Sequence, residues 1–187
     1  MGMQPAETRH ADHPVHFFYD DATLASTVAN FLAPAFRTHQ AMIAIGTPEH
    51  LLSIERRLRS SGHDIETART SGQYLPLDAQ AALDALMVTG IPTKQRFDAV
   101  IGPHLRQAAG SYGSVRAFGE IVSLLWRDGK RQAALRLEEL WNDALGYHPL
   151  ALVCGYNVRA FNTSADAIGL TGIIGSHTGV IIPKNAA

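Results

Sequence analysis

Residues 41–50, AMIAIGTPEH, decide the fold. Positions 41–46 are apolar or small without a polar alternation, the pattern of a strand covered on both faces. Thr47 then offers a capping oxygen, Pro48 a residue preset for the first helical position, and Glu49 an early acid. Leu51, Leu52, Ile54 and Leu58 carry the helix on to a stop near Gly62. A buried strand running directly into a helix is the unit from which parallel α/β sheets are built.

The same alternation extends in both directions. VHFFY (15–19) reads as a strand, followed by Asp20 and Asp21 as caps for a helix with Leu24, Val28, Phe31 and Leu32 on one face. DIETAR (64–69) is expected to be a strand, and QYLPLDA (73–79) to lead from extended chain into a helix over Ala79–Val88. Gly90-Ile91-Pro92 breaks that helix, and the next one, Lys94–Ala109, is split or kinked at Gly102-Pro103. SVRAF (114–118) and LALVCGY (150–156) are further strands. Between them, Ile121, Val122, Leu124 and Leu125 line a short helix that ends at Gly129. Ala133, Ala134, Leu137, Leu140, Trp141 and Leu145 then recur at helical spacing. Lys130, Arg131, Arg136, Glu138 and Glu139 are expected on its other faces. The tail IGLTGIIGSHTGVII (168–182) has no helical periodicity and is expected to add an edge strand. The fold class is α/β, three-layer, with a mainly parallel sheet flanked by helices. Residues 1–13 read as a flexible leader, 14–184 as one domain and 185–187 as a tail.

Composition narrows the function. A chain of 187 residues holds one sizeable core. Its net charge of −1, with no basic run, argues against a direct nucleic-acid surface. The single cysteine, Cys154, rules out an intramolecular disulfide and reads as an inert core thiol. No stretch approaches the ~18 apolar residues of a membrane helix, and the start lacks a signal-peptide core. A cytoplasmic, membrane-free protein is expected.

Catalytic motifs are missing. AIGTPEH stands where a phosphate loop would, but it has neither GxxxxGK[ST] nor GxGxxG, and the first lysine is Lys94. GxSxG and HExxH are absent as well. Nine histidines include the close pair His13 and His16, but Pro14 between them prevents helical ligand spacing. No catalytic residue, metal or cofactor is therefore assigned. Glu120 follows a parallel strand at the carboxyl edge where α/β proteins bind ligands. It reads as a ligand contact, a base, a helix cap or a partner of Arg116. Tyr19, Thr47, His50, Glu120 and Tyr156 are the candidate polar ligand contacts, with Trp126 and Trp141 as pocket walls or core.

One family joins these segments. HFFYDDATLASTVANFL, AMIAIGTPEH, QYLPLDAQAALDALMVTGIP, VRAFGEIVSLLWRDGKRQAALRLEELWN and LALVCGYNV, taken in order, resemble the MEDS domain, the methanogen/methylotroph sensory domain of DcmR-type regulators. The closing GSHTGVIIP is similar to the family's final segment, so the likeness runs over roughly 13–184. It implies a RecA/KaiC-like fold without a phosphate-binding loop and a non-enzymatic sensor of a small organic, hydrocarbon-derived ligand. It also implies a stand-alone domain that signals through a separate histidine kinase or transcription regulator, and self-association is compatible with that role. The alternatives are a residual RecA-like nucleotide binder, with Glu120 acting on water, and a ligand-free signalling adaptor.

Overall fold

The structure is a computed structural model, and its described residues are 12–87 and 90–181. Six strands make one sheet: β1 (Pro14–Phe18), β2 (Ala41–Gly46), β3 (Tyr74–Asp78), β4 (Val115–Gly119), β5 (Leu150–Asn157) and β6 (Gly179–Ile181). Their order is β3-β2-β4-β5-β1-β6, and every pairing among them is parallel. The expectation of a mainly parallel, three-layer sheet is met, and the end of the chain does add an edge strand.

The pleat of β2 explains its continuous apolar run. Ala41, Ile43 and Ile45 enter one core, while Met42 and Ala44 enter the other. The second core lies under α1 (Asp21–Leu32), α2 (Pro34–Thr38), α3 (Pro48–Ser60) and α4 (Ile65–Thr70). The first lies under α5 (Ala79–Leu86), α6 (Lys94–Val100), α7 (Gly102–Tyr112), α8 (Ile121–Arg127) and α9 (Arg131–Tyr147), and takes Ile173 from α10 (Ser164–Gly175). Helix starts follow the capping chemistry: Asp20 accepts from Thr23 N–H at 2.8 Å, and Thr47 from His50 N–H at 3.3 Å. The helix expected over Lys94–Ala109 is divided at Ile101, just before Gly102-Pro103. Val88, the expected end of α5, lies outside the described residues. Among the described residues no helix is long and apolar enough to cross a membrane.

Two sequence expectations are corrected. DIETAR is a helix, because the Asp64 carboxylate accepts from Thr67 N–H at 3.0 Å and Ile65 and Ala68, three apart, both bury. Its core is α4 and not a strand. The tail forms α10 before it reaches β6. Thr163 and Asp166 start that helix with a reciprocal capping box, a Thr-x-x-Asp signal that outweighs its weak periodicity. Periodicity is weak because Ile173 is buried while Ile168 and Ile174 are exposed.

α10 docks on the core through a glycine. A β-carbon at Gly169 would stand 2.3 Å from the Trp126 ring. The ring has little room to yield: it is buried, its Nε1–H donates to Asp166 Oδ1 at 3.0 Å, and it stacks on Phe161 with centroids 5.0 Å apart. Gly169→Ala is therefore expected to cost about 1–3 kcal/mol by overpacking, read by denaturant unfolding. An unchanged unfolding midpoint would contradict this docking.

Candidate functional site

The connection after β2 leads to β3 on one side of the sheet, and the connection after β4 leads to β5 on the other. The carboxyl ends of β2 and β4 therefore flank a topological switch point, the crevice where open α/β sheets bind ligands. Thr47 and Glu120 follow these two strands directly.

Glu120 sits 2% exposed, and its carboxylate turns away from its own helix: it makes no capping bond to α8. One oxygen accepts the Thr47 N–H, and the other lies 2.6 Å from His50 Nδ1. Nor does it pair with Arg116, which bonds Gln40 Oε1 at 2.9 Å and the Phe31 carbonyl at 3.2 Å. The carboxylate thus occupies the amino end of α3, where backbone amides and the helix dipole favour negative charge. His50 Nε2 faces Asp21 Oδ1 at 3.1 Å. Burial works against a charged His50, but bonding and charge from Glu120, then from Asp21, prevail and raise its pKa to about 9. His50 is therefore held as the imidazolium at neutral pH.

Around it lies a cleft of about 250 Å³ lined by Phe18, Ser123, Leu124, Arg127, Asn157, Arg159 and Ala160, besides Thr47, His50 and Glu120. This is smaller than the roughly 300–1,000 Å³ of drug-sized sites, so it suits a small molecule. Phe18, Leu124 and Ala160 supply apolar wall, and the two arginines supply positive charge.

Of the sequence candidates, Thr47, His50 and Glu120 come together here. Tyr19 is 70% exposed and does not line the cleft. Trp126, Trp141 and Tyr156 are in the core beneath, with Trp141 edge-on to Phe97 at 4.9 Å. The contributions of Phe18, Arg127, Asn157 and Arg159 escaped sequence reasoning, although the last residues of β1 and β5 necessarily reach the same sheet edge.

A second polar cluster lies buried between the sheet and α9. Glu138 was expected on a face other than the apolar stripe, yet it is fully buried. It falls four residues after Ala134 and three before Trp141, which places it on the apolar stripe itself. Cys154 has ionisable neighbours instead of an apolar surround: its Sγ lies 3.4 Å from Glu138 Oε2 and 3.3 Å from His13 Nε2. Tyr156 donates to Glu138 Oε1 at 2.8 Å. Burial, only partly offset by the Tyr156 and Cys154 hydrogen bonds, pushes the Glu138 carboxyl up to about 7. His13, Glu138, Cys154 and His177 each direct one ligand atom into this cluster, all within 4.8 Å of one another, and among the described residues they form a group able to hold a metal ion. His16, the sequence neighbour of His13, is not among them.

A search of the curated proteins gives no significant match to the chain. The family model described as MEDS, the methanogen/methylotroph DcmR sensory domain, matches residues 12–177. That span runs from the residue before His13 through α10 and covers both polar clusters. The chain belongs to the MEDS family of sensory domains.

Proposed function

We propose that this sensory domain binds a small organic, hydrocarbon-derived ligand in the cleft at the carboxyl ends of β1, β2, β4 and β5. The observation that carries the reading is the Glu120 carboxylate at the amino end of α3. The protein's own anion takes the position a nucleotide phosphate would need, which leaves an apolar-walled recess for an uncharged or singly anionic molecule. Such a ligand signals by binding one conformation of the cleft's flanking α8 and Val158–Ala160 segment more tightly than another. The output passes to a separate kinase or transcription regulator in the cytoplasm, without catalysis.

Native mass spectrometry of the purified protein, followed by denaturing extraction, reads any co-purifying molecule. A thermal-shift panel of small halogenated, hydroxylated and carboxylated hydrocarbons should contain at least one stabiliser. Ala160→Trp, which fills the half-buried rim of the cleft, should abolish that shift while leaving the unliganded melting temperature near wild type. Empty protein with no shift across the panel would overturn the reading. Stabilisation by ATP and magnesium would replace it with nucleotide binding.

A further inference from the structure

We propose that His13, Glu138, Cys154 and His177 form a closed four-ligand site for a divalent, thiolate-accepting metal ion, with zinc as the expected occupant. The site is separate from the carboxyl-edge cleft and independent of what that cleft binds.

The separations suit such an ion. Zinc–ligand bonds of about 2.0–2.3 Å at tetrahedral angles put neighbouring ligand atoms about 3.3–3.7 Å apart. Three atoms already have this spacing, with His13 Nε2 3.3 Å from Cys154 Sγ and 3.5 Å from Glu138 Oε2. His177 Nε2 approaches the other carboxylate oxygen, the whole set lying within 4.8 Å, so binding draws His177 or the carboxylate inward. Cys154 Sγ lies 3.4 Å from Glu138 Oε2, and His177 Nε2 3.4 Å from Glu138 Oε1.

The outer contacts fix both imidazoles with a lone pair turned inward. Asn142 donates through Nδ2 to the Ser176 carbonyl at 2.9 Å, so its Oδ1 is the atom facing His13 Nδ1 at 2.9 Å. His177 Nδ1 faces the Ile173 carbonyl at 2.6 Å. Both Nδ1 atoms meet acceptors and must carry the proton, leaving both Nε2 atoms free to ligate. His177 Nε2 is buried without a hydrogen-bond partner, opposite a carboxylate oxygen. Two buried acceptors 3.4 Å apart are stabilised by a proton or a metal cation between them, and the convergence of His13 and Cys154 on the same carboxylate favours the metal. Tyr156 O–H satisfies a remaining Glu138 lone pair from outside the tetrad.

Tertiary structure assembles the set from the two ends of the sequence. Thr178 N–H donates to the His13 carbonyl at 2.9 Å, and His13 N–H to Thr178 Oγ1 at 2.9 Å, which brings His177 beside His13. Four protein ligands leave no open position, so the ion is structural: it clamps the α10–β6 turn to β5 and α9.

The test uses untagged protein. Elemental analysis should find one zinc per chain. Chelation should lower the melting temperature, and zinc at about 100 times its Kd should restore roughly 5–10 °C. Cobalt in place of zinc should show four-coordinate ligand-field bands and a thiolate-to-cobalt charge-transfer band, the latter lost in Cys154→Ser. Asn142→Ala removes only the outer anchor of His13. It should weaken zinc binding by about 10–100-fold in chelator competition while keeping the thiolate band. Should Cys154→Ser fail to fold, the wild-type cobalt spectrum and zinc-dependent melting decide. A metal-free preparation whose melting ignores added zinc, or cobalt bound without a thiolate band, would overturn the proposal.

Discussion

Trp126→Ala is expected to lower stability by about 3–5 kcal/mol, a fall in melting temperature of roughly 6–20 °C. The indole is 1% exposed and joins three parts of the chain. It stacks on Phe161 at 5.0 Å, stands edge-on to Tyr156 at 6.1 Å, and lies under the Arg131 guanidinium at 5.7 Å. Its Nε1–H reaches Asp166, which also accepts from Arg131 at 2.6 Å and from Thr163 N–H at 2.8 Å. Truncation leaves a cavity under α10 and removes one donor from a buried carboxylate. Trp126→Phe keeps most of the apolar volume and leaves Asp166 its other donors, so its cost should be nearer the roughly 1.5–3 kcal/mol of one hydrogen bond to a charged group. Urea unfolding of both variants separates cavity from hydrogen bond. A loss below about 1 kcal/mol for the alanine variant would show that the indole does not join α8 to α10.

The second large effect depends on pH. Glu120→Gln keeps the shape of the side chain and removes the charge that holds His50 protonated. The His50 pKa is raised in the folded protein, from an ordinary 6.5 to about 9. Its stabilising contribution is therefore fully present below about pH 6.5 and is lost as pH rises through about 9. With His50 only partly buried and solvent screening the pair, the gap between wild type and variant should be on the order of 1–3 kcal/mol at pH 6. It should narrow steadily to pH 9. Chemical unfolding at half-unit pH steps measures it, and a gap that widened with pH would show His50 to be neutral beside Glu120. The same variant is expected to weaken binding of any ligand identified for the cleft, because Gln cannot hold Thr47 and His50 in the same charged arrangement.

Legibility differed between the two sites. Thr47, His50 and Glu120 were readable because each follows a strand, and parallel strands deliver their carboxyl ends to one edge. Tyr19 holds the same position after β1 yet is 70% exposed, because direction there is set by the bonds each side chain finds: Thr47 caps α3, and Glu120 reaches Thr47 and His50. Trp126 and Trp141 read as core first and as pocket walls second, and the burial of both, with α10 packed over Trp126, decided for the core. The His13–Glu138–Cys154–His177 cluster had no local signature at all. Its members come from the chain before β1, from the middle of α9, from β5 and from the turn before β6.

The sequence by itself determined the α/β class, the parallel sheet, most helix starts and the family segments. Apolar period, capping oxygens and proline positions act over a few residues and can be read locally. Tertiary structure alone decided that Glu138 is buried, that Glu120 serves α3 instead of α8, and that His13 meets His177, 164 positions further along the chain. The physical reason is the same in each case. Such a side chain takes its role from the desolvation and the hydrogen-bond partners that neighbouring elements impose, and those neighbours are adjacent only once the sheet order β3-β2-β4-β5-β1-β6 has formed.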